Sequence, residues 1–205
     1  MQTNPGRLTL PALLIGFALG GFLDGILLHQ ILQWHHLLSG VTAASDLRLQ
    51  MFWDGIFHAA HYLLGFAGLW MLLSRRAHAT DPGARRALVS ASLIGFGAWH
   101  LLDAVLNHWI LGLHRIREGS PNLLAWDLVF FGLGLVSVAL GIWVSRRRSG
   151  GGGRTVAAGL AACVLAGAPA SALPPRQVDP AVQQIVTGGL LPGFCAAWTR
   201  IAPPR

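Results

Sequence analysis

Four long apolar stretches, at about 8–38, 47–73, 87–113 and 122–144, leave this chain few ways to fold. Each is long enough to cross the ~30 Å hydrocarbon layer of a bilayer as a helix. In lipid a backbone must satisfy its own hydrogen bonds, which favours helices over any open sheet. Charged residues make up 11% of the 205 and hydrophobic residues 53%, too little charge to solvate an ordinary globular exterior. The sequence therefore predicts an all-α integral membrane protein whose core, 8–148, is a four-helix bundle, with the lipid bilayer as its first partner.

The polar residues inside these stretches carry the next constraint. Asp24 to His36 reads Asp-Gly-Ile-Leu-Leu-His-Gln-Ile-Leu-Gln-Trp-His-His, and an ionisable group at the bilayer centre costs at least ~2.5 kcal/mol on insertion scales. The pattern occurs twice. Sliding the chain so that Asp24 falls on Asp103 also lays Leu14-Ile15-Gly16-Phe17 on Leu93-Ile94-Gly95-Phe96, His29 on His108, Ile31-Leu32 on Ile110-Leu111 and His35 on His114. A slightly shorter shift lays Trp53-Asp54 on Trp126-Asp127, Trp70 on Trp143 and Arg75 on Arg148. Two tandem helix pairs are expected, 8–75 and 87–148, related by a pseudo-two-fold axis along the membrane normal.

Composition excludes several functions. The net charge of +7 comes from fifteen Arg and no Lys, clustered in short loops, a pattern of membrane orientation and not of nucleic-acid binding. Arg75, Arg76, Arg85 and Arg86 mark one loop and Arg146, Arg147, Arg148 and Arg154 another, against Arg48 alone and Arg115 with Arg117 in the others. The amino terminus and the two Arg-rich loops are thereby expected in the cytoplasm and the His-rich helix ends outside. Two Cys exclude a disulfide framework, and three Met argue against a soft Cu(I) relay. Gly16, Gly20, Gly21 and Gly25 offer small faces for close helix approach, and Trp34, Trp53, Trp109 and Trp126 suit an interface belt. Beyond a glycine linker at 149–153, residues 154–172 look like a secretory signal ending in Ala170-Ser171-Ala172, or else a short fifth span. The Pro-rich tail, 173–205, is expected to be exposed.

At about 100° per residue, Asp54, His58 and His61 share one stripe of the second helix. His100, Asp103, Asn107, His108 and His114 fall within about 140° of arc on the third, as do Asp24, His29, His35 and His36 on the first. Imidazole with carboxylate is the ligand set of zinc, non-haem iron or Cu(II), and bundles hold such ions between facing helices. His29, Asp54, His58, His61, His100, Asp103 and His108 are the expected ligands. Asp24, His35, His36, Asn107, His114 and Asp127 are expected to orient them or to form a second site. Three alternatives stay open. The groups could pair as interhelical polar packing, hold a b-type haem between two His, or relay protons or ions; against a relay, His78 stands alone in the cytoplasmic half.

Asp24 to His36, Asn107-His108-Trp109, Leu113-His114-Arg115-Ile116-Arg117 and Trp126-Asp127 resemble the core of a bacterial family of four-span membrane proteins of unknown function, over about 8–144. The resemblance implies a bacterial inner membrane and a four-helix core, and adds nothing to the choice of chemistry. The function expected is an outward-facing metal site of redox or metal-dependent type. The runner-up is a non-catalytic protein that handles metal or assists assembly of a respiratory complex, with a membrane-protein partner or a second copy of the chain.

Overall fold

The structure is a computed structural model that describes residues 5–41 and 46–146. All regular structure among them is helical, and four helices are long and apolar enough to cross a membrane: Gly6–Ile31, Leu47–Ser74, Ala84–Ile110 and Leu123–Arg146. The first comprises α1, Thr9–Phe22, which continues as a π-helix over Leu23–Ile31. α2 is Leu47–Ser74, capped by the Asp46 carboxylate on the Arg48 N–H. α3, Ala84–Asp103, also continues as a π-helix, Ala104–Ile110. α4 is Leu123–Arg146, with Asn122 Oδ1 accepting from the Ala125 N–H at its start. The linker, the signal-like segment 154–172 and the tail lie outside the described residues.

α1 and α3 form the central pair, α2 packs on α1, and α4 packs on α3. Glycine sets the central crossing. A side chain at Gly16 would run into the backbone of Ser92, and one at Gly95 into the backbone of Leu13, so the two backbones approach as small residues permit in lipid. Outward, α2 and α4 present Leu63, Phe66, Trp70, Val129 and Val136, each more than half exposed. That apolar exterior is what a lipid-facing surface requires.

The helical spans end earlier than hydrophobicity suggests, at Ile31 instead of 38 and at Ile110 instead of 113. The cause is a turn used twice. Gln33 and Gly112 adopt positive φ, 48° and 63°, a left-handed conformation that closes a helix. The Trp34 N–H then reaches back to the Leu28 carbonyl and the Leu113 N–H to the Asn107 carbonyl, at 2.9 and 2.8 Å. The chain returns over the helix end, and the two returning loops bind each other through Gly40 N–H to Leu113 O at 2.7 Å and Glu118 N–H to Trp34 O at 3.3 Å. At the opposite end, Arg75 donates to the Arg7 carbonyl, and Arg7 reaches Nε2 of His78, whose Nδ1 pairs with Asp81. His78 is thus part of a network and does not stand alone.

Candidate metal centre

Asp24 and His29 are five residues apart, as are Asp103 and His108. An α-helix would point such a pair about 140° apart. The π-helical register, whose hydrogen bonds span five residues, turns them toward one face. The returning loops supply the third member. Nε2 of His29 and Nε2 of His35 lie 3.7 and 3.4 Å from Oδ1 of Asp24, while Nε2 of His108 and Nε2 of His114 lie 3.0 and 3.8 Å from Oδ2 of Asp103. In each group the ligand atoms fall within 4.8 Å of one another, and every member is buried. The groups adjoin: the rings of His35 and His114 stack with centroids 4.5 Å apart, with His29 and His108 against them at 4.5 and 4.8 Å.

The other ring nitrogens are held from outside. Nδ1 of His29 lies 3.0 Å from Oδ1 of Asp54, and Nδ1 of His108 lies 3.1 Å from Oδ1 of Asp127. Nδ1 of His35 donates to the Ile116 carbonyl and Nδ1 of His114 to the Leu37 carbonyl, both at 3.0 Å. Each loop therefore orients the imidazole of the other. Asp54 also accepts from the Leu37 N–H at 2.8 Å, as Asp127 does from the Ile116 N–H at 3.1 Å. Such outer partners fix the tautomer that leaves Nε2 free as a ligand. Burial, reinforced by the adjacent His114 ring, lowers the His35 imidazole to about 4, which keeps it in the neutral form that a ligand needs.

Of the residues that the sequence singled out, Asp24, His29, His35, Asp103, His108 and His114 come together as potential ligands, and Asp54 and Asp127 stand behind them. His36 bonds Oδ2 of Asp54 at 2.6 Å, and Asn107 bonds Oδ1 of Asp103 at 2.6 Å. His58, His61 and His100 lie outside both groups. Each bonds its Nδ1 to the carbonyl four residues earlier, at 2.6, 2.9 and 2.8 Å. Packing holds two of them: the His61 ring abuts Gly21 and lies tilted against Phe57 at 4.3 Å, and His100 lies against Gly134 and 4.6 Å from Phe130. Sequence reasoning missed the carbonyls of Leu37 and Ile116, and Arg115, which meets Oδ2 of Asp127 at 2.8 Å. Gly112 was the available signal for the returning loops.

Among known sequences, the family model described as "Predicted membrane protein (DUF2243)" matches residues 11–148. The chain belongs to this family. No curated protein and no solved structure matches the chain. The DUF2243 region contains both groups, both returning loops and the outer carboxylates, and stops short of the glycine linker. It is a membrane-protein core with four spans, and its His and Asp groups have the composition and spacing to bind a metal. Aromatic residues also join the DUF2243 loops: Arg117 sits 5.1 Å from the Trp34 ring and 4.8 Å from the Trp126 ring. These two Trp pack edge-on at 5.1 Å and lie against the buried cluster that includes Leu28, Ile116 and Phe130.

Proposed function

We propose that the chain is a bacterial inner-membrane protein that holds a dinuclear His/Asp metal centre for redox or metal-dependent catalysis, one divalent first-row ion per group. One observation carries this. Both oxygens of Asp24 and Nε2 of His29, His35 and His114 are buried without hydrogen-bond partners, and Nε2 of His108 meets only Oδ2 of Asp103, at 3.0 Å. Each such atom costs about 1–3 kcal/mol when left unpaired. Two His and one carboxylate form the open ligand set of catalytic zinc and non-haem iron sites, and a divalent ion would satisfy each group at once. Ring-to-ring contact among the four imidazoles favours ions over haem, because a porphyrin needs a slot between its axial ligands. The interlocked loops favour a resident ion over one passed to a partner, since release would require breaking the bonds of His35 and His114 to the opposite loop.

Orientation follows from charge. Arg7, Arg75, Arg76, Arg85, Arg86 and Arg146 gather at the end away from the centre, and the positive-inside rule assigns that end to the cytoplasm. The centre then lies in the outer half, beneath the returning loops. Elemental analysis and an optical spectrum of the chain, purified in detergent without chelators, test the proposal. About two equivalents of zinc, iron or copper per chain with no haem absorbance is the expected result. Less than about a tenth of an equivalent, unchanged after adding each metal, would overturn it.

A further inference from the structure

The two groups occupy equivalent positions but have unlike neighbours. Asn107 donates to Oδ1 of Asp103 at 2.6 Å and leaves only Oδ2 for an ion. The position equivalent to Asn107 in the other group is Leu28, and both oxygens of Asp24 are without hydrogen-bond partners. Asp24 can therefore chelate through two oxygens where Asp103 offers one. The outer carboxylates differ as well. Oδ2 of Asp127 takes the Arg115 guanidinium at 2.8 Å, whereas Oδ2 of Asp54 takes the His36 imidazole at 2.6 Å.

Arg115 carries a permanent positive charge, and among the described residues no guanidinium meets Asp54. Asp24 and Asp54 together set two negative charges around the first ion, so a divalent cation there is neutralised. Asp103, Asp127 and Arg115 sum to one negative charge, so a divalent cation in the second group keeps an excess positive charge. Drawing Asp127 toward Arg115 also weakens the push that an outer carboxylate gives its imidazole, and leaves the ion behind His108 the stronger Lewis acid. We propose, on the basis of the metal centre above, that the two ions are unequal. The Asp24, His29, His35 site is coordinatively closed and binds first, and the Asp103, His108, His114 site keeps an open position that exchanges water for a small monoanion such as hydroxide or azide.

The full chain in detergent, stripped by chelator and reloaded with Co2+ at pH 8, provides the test, with azide as the probe. Cobalt should enter in two steps. Azide should leave the visible spectrum unchanged after one equivalent and change it after two, with one azide bound per chain. Arg115→His, at a side chain 30% exposed, should weaken azide binding about tenfold through the lost charge while both cobalt ions remain. Asn107→Leu, which frees Asp103 to chelate through both oxygens, should act in the same direction. Failure to bind cobalt would sink the metal centre itself. Two bound cobalt ions with no azide response, two azides of equal affinity, or an Arg115→His protein with parental azide affinity would refute only the inequality.

Discussion

Asp54→Asn is the most informative single change, because Asp54 is positioned to orient a ligand without being one. Its Oδ1 lies 3.0 Å from Nδ1 of His29 and 2.8 Å from the Leu37 N–H. Its Oδ2 meets Nδ1 of His36 at 2.6 Å and Nε2 of Gln30 at 3.5 Å. Asparagine keeps the shape and one carbonyl oxygen, which can stay on the His29 and Leu37 side. It loses the charge. Outer partners of this kind are worth about 10–100-fold in metal affinity, or about 1.4–2.8 kcal/mol at 1.4 kcal/mol per decade. The effect should fall on one ion only, since Asp127 performs the equivalent task for His108 at 3.1 Å. Zinc competition against a chromophoric chelator should thus show one site at parental affinity and one weakened by that factor. Asp127→Asn should weaken the other site by more, because its amide N–H group can be forced against the Arg115 guanidinium, donor facing donor. Parental affinity at both sites in Asp54→Asn, or equal weakening of both, would refute the assignment of Asp54 to His29.

Replacing His29, His35, His108 or His114 by Gln should lower bound metal from two ions per chain to one, whereas Gln at His58, His61 or His100 should leave two; elemental analysis of the seven proteins checks this, and the opposite pattern would overturn the grouping. Gly16→Ala should destabilise the α1–α3 crossing by about 1–3 kcal/mol, since its Cβ meets the Ser92 backbone, while Gly132→Ala, with nothing within 4 Å, should be neutral; thermal unfolding in detergent separates the two. A cysteine at Gly119, also with nothing within 4 Å, should react with a membrane-impermeant thiol reagent in intact cells, and labelling only after lysis would reverse the orientation.

Four spans and the polar residues inside them were legible because both depend on composition along the chain: apolar runs demand helices in lipid, and charges within them stand out. The repeated spacing of Asp24, His29 and His35 in Asp103, His108 and His114 was legible too. Which of these residues meet was not. Uniform α-geometry spreads Asp24 and His29 about 140° apart, and only the π-helical register brings them together. Gln33 carries no sequence mark of a helix end, and the apolar Ile31, Leu32, Leu37 and Leu38 around it read as more helix. Gly112, in the equivalent place, is the residue a left-handed turn prefers, so the second half held a clue that the first concealed. Likewise Asp54, His58 and His61 do share a stripe of α2, yet His58 and His61 bond their own helix through Nδ1, and no helical wheel reveals that.

The choice between an ion and plain polar packing turns on proton arithmetic. A neutral imidazole has one N–H donor, and in His35 and His114 that donor is already spent on a carbonyl of the opposite loop. Their Nε2 atoms nonetheless face the carboxylates of Asp24 and Asp103, acceptor to acceptor, at 3.4 and 3.8 Å. His29 and His108 likewise have a carboxylate near each nitrogen. Extra protons could balance His29 and His108, each set between two carboxylates, but on His35 and His114 they would put two charges in rings stacked at a centroid separation of 4.5 Å, and burial drives His35 the other way. Left unbalanced, both oxygens of Asp24 and Nε2 of His29, His35 and His114 together cost about 5–15 kcal/mol, as much as the whole stability of a typical domain. Hydrogen bonds between membrane helices average only ~0.6 kcal/mol, so packing gains cannot offset that sum. A divalent ion in each group supplies the missing positive charge without protons and leaves every Nδ1 bond in place.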